Sequence, residues 1–159
     1  MKKILGLTLF TLMVFASSFA LAVENYDATT GGTTGVPANT WGPYTVEYFL
    51  DASKHNAGAG FAAGDSLDVI KIPKGAYVYG VNYQIVAGDL ATCTVDVGST
   101  ANATLFLSNQ VSNSTATTDA YAITHSAFAD GGKIRTTFDH ATAKLKFYVR
   151  AVIMPFKNN

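Results

Sequence analysis

Three histidines, one cysteine and a scatter of aspartates are the residues in this chain whose types could do chemistry. His55, His125 and His140 fall in three separate loop-like segments, and none has a second His or Cys at the spacing a metal site uses. Ser126 follows His125, but neighbours in sequence do not make a base and nucleophile, and no G-x-S-x-G turn is present. Asp65 and Asp68 read as a turn and a strand-edge residue rather than an acid–base pair. Asp89, Asp96 and Asp119 are acidic enough for calcium, yet no D-x-D-x-D-G loop joins them. No phosphate-cradling P-loop occurs either. Cys93 shares a strand face with Val95 and Val97 and is expected to be a buried, inert thiol. Asn102-Ala103-Thr104 and Asn113-Ser114-Thr115 match the glycosylation acceptor pattern, which a Thr-rich chain produces by chance. The expectation is a protein with no catalytic residue, cofactor or metal. What remains is aromatic: Tyr77, Tyr79 and Tyr83 alternate along one segment and Trp41 is the single tryptophan. These four are the candidate contacts for assembly, since such rows pack cores and subunit interfaces more often than they stack on sugars.

The elements that position these residues have a period of two. Tyr44, Val46, Tyr48 and Leu50 alternate with Thr45, Glu47 and Phe49. Within 77–86, Tyr77, Tyr79, Val81, Tyr83 and Ile85 fall on one face, opposite Val78, Gly80, Asn82 and Gln84. Cys93, Val95 and Val97 alternate likewise, as do Leu145, Phe147, Val149, Ala151 and Ile153 against Lys144, Lys146, Tyr148 and Arg150. Shorter strands are expected at 67–72, 103–107, 120–124 and 133–138. Turns are expected at Ala63-Gly64-Asp65, Pro73-Lys74-Gly75, Gly88-Asp89, Gly98-Ser99 and Asp130-Gly131-Gly132. The segment 52–64 carries Gly58, Gly60 and Gly64 and reads as irregular. Many short strands separated by turns, with no amphipathic helix, predict an all-β antiparallel sandwich of jelly-roll type.

Ahead of the sandwich, expected over 44–159, lie two further segments. Lys2 and Lys3, the apolar run Ile4 to Phe15 and the small-x-small pattern Ala20-Leu21-Ala22 predict a signal peptide over 1–22, cleaved after Ala22. Residues 23–43, rich in Thr and Gly, read as a flexible arm that Trp41 could anchor on a neighbour. In 159 residues, 11 basic groups balance 11 acidic ones, and only 14 % of residues are charged. That neutrality argues against a nucleic-acid partner, and it leaves the membrane touched only through the export signal. A single cysteine rules out an internal disulfide.

The run Gly64-Asp65-Ser66-Leu67-Asp68-Val69-Ile70-Lys71-Ile72-Pro73-Lys74-Gly75-Ala76-Tyr77-Val78 resembles the core of small β-sandwich virion structural proteins of tailed, marine-type bacteriophages. Thr94-Val95-Asp96-Val97-Gly98 is similar to a strand-turn of the same proteins, and Lys133-Ile134-Arg135 through Val152 to their paired closing strands. The resemblance covers roughly 44–153. The resemblance implies a capsid-associated, decoration or fibre subunit that forms homo-oligomers or binds other virion proteins, with no catalytic residue to carry over. The leader departs from that pattern, because phage particles assemble without export. The competing expectation is therefore an exported bacterial surface or secreted β-sandwich binding module, periplasmic, cell-surface or released, in contact with carbohydrate.

Overall fold

The computed structural model describes residues 25–27, 43–89, 93–113 and 119–155. Nine strands are present among them: β1 (Asn25–Asp27), β2 (Tyr44–Asp51), β3 (Ser66–Ile72), β4 (Ala76–Ala87), β5 (Thr94–Ser99), β6 (Leu107–Val111), β7 (Asp119–Phe128), β8 (Gly132–Phe138) and β9 (Lys146–Pro155). One sheet runs β2-β9-β4-β7 and the other β1-β3-β8-β5-β6. The antiparallel pairs β2·β9, β3·β8, β4·β7 and β5·β6 are nested, outermost strand with last and innermost two together. Winding that long hairpin on itself adds the closing pairs β4·β9 and β5·β8. The result is the eight-strand, two-sheet sandwich of a jelly roll, as expected. β1 adds a short parallel strand at the free edge of β3, with Asn25 opposite Ser66. The remainder of the segment 23–43, Trp41 included, and the leader 1–22 lie outside the described residues. No helix among the described residues is long and apolar enough to cross a membrane.

Alternation drives the packing. On β9, Phe147, Val149, Ala151 and Ile153 are buried while Lys146, Tyr148 and Arg150 lie on the outer side. Between the sheets a column of rings runs from Phe61 to Phe138 (4.4 Å, stacked), then Phe147 (6.4 Å) and Tyr83 (4.8 Å). The column ends on a polar atom that must be satisfied: the Tyr83 hydroxyl lies 2.7 Å from Ser112 Oγ, which donates to the Gln110 carbonyl. Cys93 is buried beside Val95 and Val97, as its strand face predicts.

Several local expectations are corrected. The strand expected at 103–107 begins four residues later, at Leu107. Asn102 causes the delay: its side chain accepts from the Thr104 backbone N–H and its carbonyl accepts from Ser99, a local turn that outcompetes the ladder. Gly98 ends no strand; it lies buried inside β5, where a Cβ would stand 2.2 Å from the carbonyl oxygens of Asn102 and Ala103. That glycine serves close approach rather than turning. β7 runs ten residues, to Phe128, so His125 stands on a strand instead of a loop. The segment 52–64 contains two short 3-10 turns, Ala52–Lys54 and Asn56–Gly58.

Candidate assembly surface

The outer face of the β2-β9-β4-β7 sheet carries two of the four aromatic residues that sequence singled out, Tyr77 and Tyr79. Between Val78 and Gly80 the register of β4 shifts against both of its neighbours. Such a bulge places two successive residues on the same side. Ala76 and Val78 point inward before it and Val81 and Tyr83 after it, so Tyr77 and Tyr79 face outward. Tyr83 is therefore corrected as an assembly contact: it is fully buried, 0 % exposed, in the ring column. Burial also pushes its hydroxyl well above the usual tyrosine range, against the Ser112 hydrogen bond.

Gly80 is the second outward residue of the bulge. The Tyr121 ring lies over it, and a Cβ there would stand 2.3 Å from the Tyr121 hydroxyl. Tyr79 meets His125 edge-on at 5.2 Å. Strand pairing then sets Glu47, Arg150, Asn82 and Tyr121 in one row across four strands. Arg150 organises this row. Its Nε donates to the Glu47 carboxylate, and its Nη1 donates to Gln84 Oε1 (2.7 Å) and Asn82 Oδ1 (3.2 Å). Its guanidinium stands 4.9 Å over the Tyr148 ring, which in turn meets Phe49 at 4.8 Å. The fan of donors on one planar cation holds the centre of the face rigid. Toward the β7 edge the face turns apolar, with Tyr121 58 % and Ile123 77 % exposed.

The remaining candidates are structural and separate. His55 packs on Phe61 at 4.6 Å, and burial holds its pKa below the usual value despite Asp51 nearby. His140 Nδ1 lies 2.8 Å from Asp139. Asp89 Oδ2 accepts from Thr142 Oγ1, Ala143 N and Lys144 N at 2.7, 2.7 and 2.9 Å, clasping the β8–β9 loop. Asp96 accepts from Asn109 N at 2.7 Å. Asp65 closes its turn by accepting from Ala62 N at 2.7 Å. No group of three or more His, Cys, Asp or Glu able to hold a metal ion occurs among the described residues. Burial raises the Cys93 thiol to about 11, with Asp139 and Asp89 adding to the effect.

Sequence missed Asp68. It is not a strand-edge residue but a buried carboxylate inside β3, with Arg135 Nε at 2.6 Å and Lys133 Nζ at 3.1 Å. The signal was present in the β8 run Lys133-Ile134-Arg135, whose two cations share one face.

No protein-family model and no curated protein matches the sequence. Solved structures do. A chain in the capsid asymmetric unit of cyanophage Pam1 superposes with a TM-score of 0.55 at 19 % identity, over 79 % of this chain and 96 % of that one. A chain of the acidic stable capsid of Helicobacter pylori bacteriophage KHP30 gives 0.54 at 14 % identity, over 70 % and 86 %. One in the capsid of Ralstonia phage GP4 gives 0.55 at 14 %, over 84 % and 98 %. The resemblance stated from Gly64 to Val78 thus extends to the fold: this chain is a β-sandwich similar to chains found in three phage capsids.

Proposed function

We propose that this chain is a non-enzymatic structural subunit of a phage particle, a capsid-associated, decoration or fibre protein that works by contact with neighbouring copies and other virion proteins. The observation that carries the reading is the near-complete coverage of the matched capsid chains, 86 to 98 % of their length, by this sandwich. Chemistry on the outer sheet face agrees: aromatic rings, a self-satisfied arginine row and exposed apolar side chains suit a packed contact. With only 14 % of residues charged, long-range steering contributes little, and apolar burial at about 25 cal/mol per Å² carries the association. Cleavage after Ala22 and an arm over 23–43 reaching a neighbour through Trp41 belong to the same proposal.

Co-sedimentation of the purified chain with particles of its phage tests this. Saturable binding that changes less than about threefold between 50 and 500 mM salt is the expected result. Failure to bind particles, together with retention on a carbohydrate array, would instead establish the exported binding module. The rings of Phe49, Tyr148 and Tyr121 beside Asn82 and Gln84 favour that second reading. Intact mass of the particle-bound chain reads its start, expected at Val23.

A further inference from the structure

Every sheet edge is a row of unpaired backbone donors and acceptors, and proteins normally blunt such edges. Three of the four described here are blunted. β1 has three residues. β6 has five, with a register shift against β5 and Asn109 at φ 53°. β2 carries Glu47 and Asp51. β7 is the longest of the four: ten residues, Asp119–Phe128, with Asp119 its one Asp, Glu, Lys or Arg, no Pro, and a register shift against β4 confined to the stretch beyond Ile123, paired on one side only among the described residues. Its pairing with β4 is regular from Asp119 to Ile123, and its most exposed side chains are Tyr121 and Ile123. We infer that β7 is the self-association edge, pairing antiparallel with β7 of a second copy about a two-fold axis through Ala122. This rests on the self-associating reading above and names its contact.

The register follows from complementarity. Centred on Ala122, the pairing sets Tyr121 opposite Ile123 of the other copy, and Asp119 opposite His125, each twice by symmetry. An aromatic ring beside a β-branched chain is among the favourable cross-strand pairs, and a carboxylate accepts from an imidazole N–H in either charge state of the ring. Shifting the axis to Tyr121 sets Asp119 against Ile123, and shifting it to Ile123 sets Asp119 against Ala127. Only the Ala122 axis gives Asp119 a donor while joining the two apolar chains. The occupant is a second copy because β7 meets its own complement in reverse. Two four-stranded sheets then become one continuous sheet of eight.

The full-length chain is tested by light scattering over a concentration series, with three variants. Ile123→Lys adds an edge charge at a position too exposed to matter for folding. It should raise the concentration for half-association at least tenfold while leaving the thermal melt unchanged. Ala122→Cys sits on the axis, where facing Cα atoms are roughly 4.5–5.5 Å apart, within disulfide range. It should form a reducible dimer on mild oxidation. Ala127→Cys should not, because its symmetry mate lies ten residues, about 34 Å, along the strand. Association of Ile123→Lys equal to the parent, with no Ala122→Cys dimer, would overturn the β7 edge and leave self-association standing. A parent chain that stays monomeric at high concentration would overturn both this edge and self-association. Particle binding by that monomer, abolished in Ile123→Lys, would overturn only the second copy as occupant.

Discussion

Replacing Asp68 by alanine is expected to cost about 3 kcal/mol of folding stability. The carboxylate is 4 % exposed and holds Arg135 Nε at 2.6 Å and Lys133 Nζ at 3.1 Å. Removing it takes a carboxylate from two cations that differ in their means of escape. Lys133, 34 % exposed, can carry its charge into water on a flexible stem, whereas Arg135, 15 % exposed, is fixed against the sheet. Breaking a fully buried pair from one side costs 3–5 kcal/mol. With one cation able to relax, the lower end of that range applies. For a folded unit of this size, each kcal/mol lowers Tm by roughly 4 °C, so the variant should melt about 12 °C below the parent. The decisive measurement is a double-mutant cycle by urea unfolding. Asp68→Leu alone leaves the same two cations without their carboxylate and should cost about 3 kcal/mol, and Arg135→Met alone should cost about 2 kcal/mol, while Asp68→Leu with Arg135→Met fills the site with apolar volume and should lie within about 1 kcal/mol of the parent. A double variant whose loss equals the sum of the single ones would show that the ion pair is uncoupled and would refute this reasoning.

Gly98→Ala should destabilise by about 2 kcal/mol or more, read as a lowered urea midpoint, because its Cβ meets two backbone carbonyls that cannot swing away. The Cys93 thiol, buried with its pKa raised to about 11, should react with a thiol reagent at pH 8 only as fast as the protein unfolds; prompt labelling of the native chain would contradict its burial. Stability should fall in acid in two stages. His55 is held below its usual pKa by burial, so the unfolded chain binds its proton first and stability drops as pH falls below about 6.5. Asp51, stabilised by hydrogen bonds from Ser53 and Lys146, and Asp139, whose burial is outweighed by hydrogen bonds from Thr94 and His140, are both held low and add a second loss below about pH 4. A Tm that stays flat from pH 7.5 to 2 would exclude these contributions.

The limits of what sequence revealed have a common physical origin. Alternation made β2, β9 and the buried face of β5 legible, since one polar–apolar period of two decides which side each residue takes. Nested hairpin pairing was legible only as a class, because register and order are set by contacts more than a hundred residues apart, such as Glu47 with Arg150. Asp68 was missed as a buried ion because the two cations that share one face of β8 lie sixty-five and sixty-seven residues later, and only the strand pairing brings them to it. Among the candidate contacts, Tyr83 alone was placed on the wrong side by the alternation. One extra position in β4 at Tyr79 inverts the alternation, and the apparent row Tyr77, Tyr79, Tyr83 divides between the outside and the core.

That inversion also shapes the face that remains for contact. A regular β4 would present Tyr77 and Tyr79 to the core and leave the outer side to Val78 and Gly80. The bulge instead turns two tyrosines outward and puts Gly80 directly beneath Tyr121 of β7. A side chain at position 80 would lift the Tyr121 ring from the sheet, so the glycine is what lets the ring lie flat across the strand pair. Lying flat, Tyr121 leaves Ile123 as the most exposed large apolar group among the described residues, next to an edge with no Asp, Glu, Lys or Arg between Ala120 and Ala129. The irregularity that concealed the aromatic row from a period-two reading is thus the same one that builds an apolar margin beside an open strand. A core-packing account explains Tyr83 and the ring column, but it gives no reason for Tyr121 and Ile123 to face water. The β7 pairing we propose does.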